Sequence, residues 1–252
     1  MSEGDVMIDR NCILAYAIRY QGNWSKIAQA ISTKESYKPI HTSDTYITIL
    51  DDVYPDCLKE LRFPPWILFY EGDIHLLNDE MVSIVGSRDC SRYGMDCTKD
   101  VIQHLPRSQT IVSGLAKGID ACAHHYALSY RHKTIGVIGC GLDIPYPKEN
   151  IDLYKQLSKN HLIISEYPRG TPPRKENFPW RNRIIAALGK VLIVTEAKRH
   201  SGTLLTVNEA LNLDRDIYCI PYPYDDLKGE GCNLLISQGA IILNDLTLLE
   251  SF

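Results

Sequence analysis

The stretch Val82-Ser83-Ile84-Val85-Gly86-Ser87-Arg88 decides the fold of this chain. A short apolar strand runs directly into a glycine, a hydroxyl and a cation. Backbone N–H groups at the start of the next helix carry partial positive charge, and an arginine adds a bidentate donor, so such a turn suits a phosphate. A Gly-Ser-Arg turn is also an ordinary strand-to-helix connection, and alone it leaves both interpretations open.

Three further turns of the same kind follow apolar runs downstream. They are Ser113-Gly114-Leu115-Ala116-Lys117-Gly118-Ile119-Asp120, Gly139-Cys140-Gly141-Leu142-Asp143 and Ser201-Gly202-Thr203. Apolar runs at 82–85, 110–112, 134–138, 161–164, 191–194, 217–220 and 240–243 alternate with helical patterns at 91–104, 118–131, 149–158, 180–188 and 202–213. This alternation predicts an α/β fold with a doubly wound, mostly parallel Rossmann-like sheet. Ligands bind such sheets at the carboxyl ends of the strands, so we expect all four turns at one edge.

The part of the chain before this alternation has a different character. Residues 11–31 show helical periodicity interrupted at Gly22-Asn23, which predicts a small helical hairpin that must pack on another element to be stable. We therefore expect a short helical N-terminal region over 1–44 and a core over 45–252. Runs at 46–50 and 66–70 predict two more strands, with a short helix between them.

The composition indicates a globular protein with one main domain. The chain has 252 residues, of which 44% are hydrophobic and 23% charged. Its eight cysteines form no Cys-x-x-Cys pair, and the first five residues are polar and acidic, unlike a secretory signal. No apolar run approaches the roughly 20 residues of a membrane-spanning helix. We expect a protein of the reducing cytoplasm with free thiols and no membrane partner.

The charge is unevenly distributed along the chain. The formal net charge is −4, which argues against indiscriminate binding to nucleic acid. Residues 169–200, however, contain eight Lys or Arg and only two Asp or Glu, a local balance of +6. This basic segment indicates either a local phosphate-binding track or a solvated charged loop.

Motifs for cofactors and metals are incomplete. The dinucleotide fingerprint fails because Ile144 stands where Gly139-Cys140-Gly141 would need a third glycine, and no Walker loop occurs. His124 and His125 have no recognised metal-ligand spacing, so a structural or surface role is favoured. We predict no cofactor, no metal and no catalytic residue.

The segment Phe178-Pro179-Trp180-Arg181-Asn182-Arg183 interleaves aromatic rings with cations. Rings stack on bases while arginines contact phosphates, which is the chemistry of single-strand binding. The alternative is that the aromatics belong to the core and the arginines form salt bridges. Glu166 and Glu196 end strands at the ligand edge, where each could act as a general base or orient an arginine.

Several ordered motifs together resemble the DNA-processing protein A (DprA/Smf) family over roughly residues 45–243. The matching stretches are Ile84 to Arg88, Ser113 to Asp120, Gly139 to Asn150 with Tyr146-Pro147-Lys148, Ser165 to Pro168, Phe178 to Ile185, Glu196-Ala197, Ser201 to Thr206 and Gly231 to Ala240, with Asp51 to Pro55 and Pro65 to Gly72 as a lead-in.

The resemblance implies a Rossmann-like core that binds single-stranded DNA, forms a homodimer, protects incoming DNA and loads the RecA recombinase during natural transformation, without being an enzyme. Carried over by position, Arg88 and Lys148 would hold backbone phosphates. The other expected binding residues are Gly86, Ser87, Ser113, Gly114, Lys117, Phe178, Arg181, Asn182, Arg183, Ser201, Gly202 and Thr203.

The chain departs from the family pattern at a few positions. Pro221-Tyr222 stands where the family usually has Pro-Gly, and Gly229 stands where it often has serine. Ala187 and Gly189 alter the usual end of the arginine-bearing helix. The N-terminal helical part is short, and we expect no C-terminal winged-helix domain, which some members of the family carry. These departures bear on the dimer surface and on RecA loading more than on DNA binding.

Two other functions remain open from the sequence. Ser201-Gly202-Thr203-Leu204, opening a helix with Glu209, resembles in part the phosphoribohydrolases often called lysine decarboxylases, although Lys198-Arg199-His200 replaces the leading residues of their signature. Such an enzyme would release free base from a nucleoside monophosphate. A passive nucleotide-sensing module would instead bind mononucleotides tightly and gain little from longer oligomers.

Overall fold

A nine-stranded sheet forms the centre of the molecule. The computed structural model describes residues 8–252; residues 1–7, on which the exclusion of a secretory signal rests, lie outside them. The strands are β1 (Tyr46–Thr48), β2 (Ile67–Gly72), β3 (Met81–Gly86), β4 (Thr110–Gly114), β5 (Thr134–Ile138), β6 (Leu162–Ser165), β7 (Val191–Glu196), β8 (Asp216–Cys219) and β9 (Ile241–Ile242). Their order is β1-β2-β6-β5-β4-β3-β7-β8-β9, with β3 to β9 parallel and β1 and β2 antiparallel. The predicted α/β class with a mostly parallel, Rossmann-like sheet is confirmed.

Helices cover both faces of this sheet. They are α1 (Arg10–Arg19), α2 (Trp24–Ser32), α3 (Asp56–Lys59), α4 (Arg92–His104), α5 (Ile119–Ser129), α6 (Ile151–Asn160), α7 (Asn177–Leu188), α8 (Thr203–Leu211) and α9 (Glu230–Ser237). Helix α7 begins three residues before the predicted position, because Pro179 lies in its first turn, where the missing N–H costs nothing. Helix α9 was not predicted. None of the helices within residues 8–252 has the length and apolar character needed to cross a bilayer.

The strand order reverses between β3 and β7. From β3 the chain builds β4, β5 and β6 on one side, and then returns to place β7, β8 and β9 on the other. A crevice opens at such a switch point, outside the carboxyl ends of the two central strands. The ends of β3 and β7 at this crevice are Gly86 and Glu196.

The N-terminal hairpin of α1 and α2 packs on the sheet rather than standing apart. Ile13 and Tyr16 of α1 are fully buried in a cluster that also contains Phe69 of β2 and Leu157 of α6. This burial supplies the tertiary support that two helices of this length need. At Gly22, between the helices, φ is +73° and an added Cβ would lie 2.8 Å from the carbonyl oxygen of Glu166. The turn of the hairpin therefore sits against the chain leaving β6.

Candidate nucleic-acid interface

The Gly-Ser-Arg turn is held between β7 and α5. The Ser87 N–H donates to the carbonyl of Glu196 (2.8 Å), and the Ile119 N–H donates to the carbonyl of Ser87 (3.0 Å). Gly118 has φ +75°, and a Cβ there would lie 2.2 Å from the Ser87 oxygen, so glycine is required for this approach. Arg88 is left exposed, and it forms no salt bridge with any residue in the described range.

A cavity of about 330 Å³ opens at the switch point, and we call it the arginine cavity. It brings together three of the turns that the sequence singled out. Among its lining residues are the predicted Gly86, Ser87, Arg88, Arg181, Asn182, Ser201, Gly202 and Thr203. The carboxyl end of β3, the loop after β7 and the second turn of α7 thus form one concave surface.

Arg181 forms the floor of this cavity through a buried ion pair. Its Nη1 lies 3.7 Å from Oδ2 of Asp120, and both residues are almost fully buried. Burial raises the pKa of the Asp120 carboxyl, while Arg181 and Arg88 act in the opposite direction. Gly114 lies directly beside the pair, because a Cβ there would be 1.8 Å from Nη1 of Arg181. The Nε of Arg181 has no hydrogen-bond partner among the described residues.

A second cavity of about 160 Å³ adjoins the first and shares Arg88, Ala116 and Arg181 with it. We call it the aromatic cavity, because Tyr146 and Phe178 line it with Lys117. The guanidinium carbon of Arg88 lies 5.5 Å from the Phe178 ring centroid, and the Tyr146 and Phe178 rings are 5.8 Å apart. A cation beside two partly exposed rings can hold a phosphate next to a stacked base.

Four of the predicted binding residues lie outside both cavities. Ser113 is fully buried, and its hydroxyl donates to the carbonyl of Ile84 (2.6 Å). Gly114 lies behind Arg181. Lys148 is exposed directly after Tyr146 and Pro147. The fourth is Arg183.

Arg183 faces away from the arginine cavity. Its guanidinium donates to both carboxylate oxygens of Glu166 at 2.7 and 2.8 Å and to the carbonyl of Phe63 at 2.9 Å. The side chains of Arg183 and Glu166 are each 4% exposed. The guanidinium donors of Arg183 are therefore bonded to groups inside the protein. The structure does not bring Arg183 together with Arg88 at the arginine cavity.

The basic segment 169–200 is largely neutralised rather than forming a cationic track. Six of its eight cations form salt bridges with acidic residues. The pairs are Arg169 with Asp44 and Glu71, Arg181 with Asp120, Arg183 with Glu166, Lys190 with Glu80, Lys198 with Asp89, and Arg199 with Glu230. Within the described residues, Arg174 and Lys175 are the two cations of this segment without a salt bridge.

The acidic and histidine candidates have structural partners. Glu196 is fully buried and accepts hydrogen bonds from the backbone and hydroxyl of Ser91, which caps α4. His124 is fully buried between the carbonyl of Gly114 and the hydroxyl of Thr134, each at 2.7 Å. Burial lowers the pKa of His124 to about 3, so the ring is neutral. These side chains shape the turns, and their polar atoms are occupied by internal partners.

Two lining residues carry no role in the sequence-based site. The sequence predicts no binding role for Tyr146, and it predicts that Asp120 caps a helix or pins a loop. The ring of Tyr146 meets Phe178, which is far away in the chain. Only the fold brings them together, so no local spacing signals the contact.

A family model described as DNA recombination-mediator protein A matches residues 45–251. The chain belongs to this family. The DNA processing protein DprA of Streptococcus pneumoniae is 48% identical over 193 residues, covering 77% of this chain and 68% of that protein. Protein Smf of Synechocystis is 42% identical over 212 residues, covering 82% of this chain and 53% of that protein. The chain thus spans between about half and two thirds of the length of these two relatives.

Two solved structures of DNA processing protein A resemble this chain. The structure from Streptococcus pneumoniae has a TM-score of 0.82 at 43% identity and covers 90% of this chain and 80% of that one. The structure from Helicobacter pylori has a TM-score of 0.75 at 29% identity, covering 84% and 97%, and is described as revealing a single-stranded DNA binding mode of that protein. The resemblance to the DprA/Smf family is confirmed.

The two departures of this family member at Tyr222 and Gly229 occupy the same place. A Cβ at Gly229 would lie 1.8 Å from Cγ of Tyr222. The Tyr222 ring cannot move aside freely, because its hydroxyl donates to the carbonyl of Thr195 (2.9 Å) and its ring packs edge-on against Tyr93. The tyrosine is accommodated because residue 229 has no side chain.

Proposed function

We propose that this chain binds single-stranded DNA along the carboxyl edge of its sheet, with Arg88 as the central phosphate contact. The observation that carries the proposal is the position of Arg88, which is exposed, without a salt bridge to any described residue, and shared by the arginine and aromatic cavities. The sugar–phosphate backbone of the DNA contacts the cations, while the bases stack on Phe178 and Tyr146. Lys148 adds a second phosphate contact beside Tyr146.

Within this proposal the remaining predicted residues divide into two groups. Gly86, Ser87, Asn182 and the Ser201–Thr203 turn line the cavities and contact DNA directly. Lys117 also lines the aromatic cavity, and it exchanges its exposed salt bridge with Glu149 for a DNA phosphate. Ser113, Gly114, Arg181 and Arg183 act through the fold, because their polar groups or their backbone serve internal contacts.

We further propose that the protein acts in the cytoplasm as a recombination mediator, protecting incoming DNA in natural transformation and loading RecA onto it. The family description supports the mediator role. A homodimer is part of the proposal. The edge strand β9 leaves Ile241 and Ile242 about two-fifths exposed, which gives a second copy an apolar edge to meet.

The enzyme alternative is not favoured by the geometry. Glu209 lines a cavity with Trp180 and Arg183, whereas Ser201, Gly202 and Thr203 line the arginine cavity. The acid is therefore not in the cavity that the glycine turn forms. Incubation with a nucleoside monophosphate tests this point. Release of free base by the unchanged protein, abolished by Glu209→Gln, would support the enzyme alternative.

The test of DNA binding is fluorescence anisotropy with labelled dT oligomers over a range of salt concentrations. The affinity of the unchanged protein falls with salt, with a slope near −0.7 per neutralised phosphate on single strands. We expect Arg88→Ala and Lys148→Ala each to weaken binding and to reduce this slope by about 0.7. RecA loading is then measured as faster RecA filament formation on DNA coated by a single-strand-binding protein.

Arg92→Ala is the matched control. Arg92 is an exposed cation four residues from Arg88, but it pairs with Asp96 at 3.0 Å along α4 and lines neither cavity. This variant keeps the affinity and the slope. Equal affinity of the Arg88→Ala, Lys148→Ala and unchanged proteins at every salt concentration would refute the proposed site. Tight binding of a mononucleotide with no gain from longer oligomers would favour the nucleotide-sensing function.

A further inference from the structure

We propose that another cavity, between the N-terminal hairpin and α7, is a second contact region for the same DNA strand; this inference rests on the proposed function. The cavity has a volume of about 410 Å³, and we call it the hairpin cavity. Residues 19–26 of the α1–α2 turn form one wall, and Arg174, Asn177 and Trp180 form the other.

The hairpin cavity adjoins the proposed DNA site across one turn of helix. Asn177 and Trp180 of α7 line the hairpin cavity, whereas Phe178 and Arg181 line the aromatic cavity. Residues three apart share a face of a helix, so the two pairs present neighbouring faces of the same first turn. The side-chain amide of Asn177 also donates to the carbonyl of Gly139 (2.9 Å), which lines the aromatic cavity. A strand leaving Arg88 can reach the hairpin cavity by crossing the start of α7.

The unpaired charge in the hairpin cavity is cationic on balance. Lys26 and Arg174 have no salt-bridge partner among residues 8–252. Arg19 is paired with Glu35 and Glu166 with Arg183, so neither contributes a free charge. Glu176 is the opposing exposed carboxylate. Two free cations therefore face one free carboxylate. This small positive balance suits a strand with one phosphate per nucleotide better than a ligand with several clustered phosphates.

Trp24 and Trp180 line the hairpin cavity beside these cations, and both belong to a larger aromatic cluster. Trp24 stacks on Trp66 with centroids 5.7 Å apart and contacts Phe63 at 4.9 Å, and Phe63 contacts Trp180 at 5.6 Å. All three tryptophans of the chain thus belong to one half-buried cluster. The indole N–H of Trp24 donates to the carbonyl of Pro64 (2.7 Å), which fixes the ring. Fixed rings beside arginine and lysine are the surface on which unpaired bases stack.

The position of the α1–α2 turn explains why this cavity lies at the ligand edge. Gly22 packs on Glu166 and Tyr167, which directly follow β6, so the hairpin is anchored to the carboxyl ends of the strands. The Arg174 guanidinium donates to the side chain of Gln21 (2.9 Å), joining the two walls. The N-terminal region therefore lengthens the surface that the Rossmann-like core offers to DNA.

The test compares the Lys26→Ala/Arg174→Ala double variant with the unchanged protein on dT oligomers of increasing length. Both side chains are exposed, so the variant keeps its fold, which circular dichroism checks. We expect unchanged affinity for the shortest oligomers that bind. For longer oligomers the gain in affinity is lost and the salt slope is reduced by about 1.4, which is about 0.7 for each phosphate contact removed. Lys155→Ala, an exposed cation on α6, is the control and retains the gain.

Tryptophan fluorescence supplies an independent readout. Long oligomers quench the tryptophan cluster in the unchanged protein, whereas the shortest oligomers and inorganic phosphate leave it unchanged. If the double variant matches the unchanged protein at every length, or loses affinity equally at every length, the second contact region is refuted while the Arg88 site stands. Quenching by inorganic phosphate alone would show a simple anion site and also refute it. Absence of binding to any oligomer by the unchanged protein would instead refute the proposed function.

Discussion

Arg183 and Glu166 form a bidentate ion pair that is almost wholly enclosed, although the sequence offers Arg183 as a DNA contact. The two N–H···O distances are 2.7 and 2.8 Å, and the third donor of the guanidinium is used by the carbonyl of Phe63. The pair fastens α7 to the segment after β6. Arg181, which pairs with Asp120, and Arg183 thus both stabilise the surface on which Arg88 is exposed.

We predict that Arg183→Leu lowers the free energy of unfolding by about 3–5 kcal/mol, because it leaves the Glu166 carboxylate buried without a partner. Urea denaturation measures this loss. Lys190→Ala, which removes an exposed pair with Glu80, costs at most about 1 kcal/mol. Below its unfolding transition the Arg183→Leu protein keeps its affinity for dT oligomers. If the Arg183→Leu variant is as stable as the unchanged protein but binds DNA more weakly, Arg183 is a DNA contact and not a structural residue.

Gly114→Ala is predicted to damage both stability and DNA binding. The added methyl would collide with Nη1 of Arg181 and with Oδ2 of Asp120, at 1.8 and 2.3 Å, and these atoms have no free space in the buried pair. Overpacking of this kind costs about 1–3 kcal/mol. Displacement of Arg181 also changes the floor of the arginine cavity. Thermal unfolding and anisotropy measure the two effects.

Gly202→Ala provides the stability control for that variant, because an added Cβ at Gly202 meets no atom within 4 Å. We expect its free energy of unfolding to match that of the unchanged protein. An equal loss of stability in both variants would contradict the argument from the Arg181–Asp120 pair.

Buried His124 makes the stability of the protein sensitive to acid. Its pKa is lowered to about 3, whereas the unfolded chain has the ordinary value of about 6.5. Between these values only the unfolded chain takes up the proton, so the free energy of unfolding falls as the pH falls from about 6.5 toward 3. The contribution of this one residue has a slope of up to about 1.4 kcal/mol per pH unit.

Denaturant unfolding at several pH values measures this slope. His124→Gln removes its contribution, so the stability of that variant changes less between pH 7 and about 4. The exposed neighbour His125 gives the matched variant His125→Gln, which keeps the slope of the unchanged protein. Identical slopes in the His124→Gln and unchanged proteins would disprove the assignment.

The sequence predicts the fold well because the strands are short Val- and Ile-rich runs and the turns between them carry glycine and hydroxyl residues. It does not show which arginine faces solvent. Arg88 and Arg183 are the same residue type at the same edge, and the difference lies in Glu166, whose position beside Arg183 depends on β6 and α7 packing together. The antiparallel pairing of β2 with β6 is likewise a contact between distant parts of the chain.

The hairpin shows the same limit. Its helical periodicity is readable, and the need for tertiary support follows from its length. The surface that it meets is not readable, because Gly22 contacts Glu166 and Tyr167 across most of the chain. A cavity formed by two such distant segments has no signature in either one.

The contact between Tyr222 and Gly229 predicts a strong coupling between two positions. Gly229→Ser is expected to destabilise the protein, because the new Cβ would overlap the Tyr222 ring. In a Tyr222→Gly background the same serine has space, so the double variant is more stable than the sum of the single changes predicts. A double-mutant cycle by urea denaturation measures this coupling, which we expect to exceed about 0.5 kcal/mol. Additive effects would show that the ring is free to move.

The same overlap restricts the order in which these two residues can have changed during evolution. An ancestor with glycine at 222 and serine at 229 cannot gain the tyrosine first without passing through a clashing intermediate. Loss of the serine side chain opens the space, and the tyrosine can then enter and acquire its bond to the Thr195 carbonyl. Once that bond exists, any side chain at residue 229 would overlap the Tyr222 ring, so the glycine must be retained. Lineages that share this tyrosine should therefore share the glycine as well.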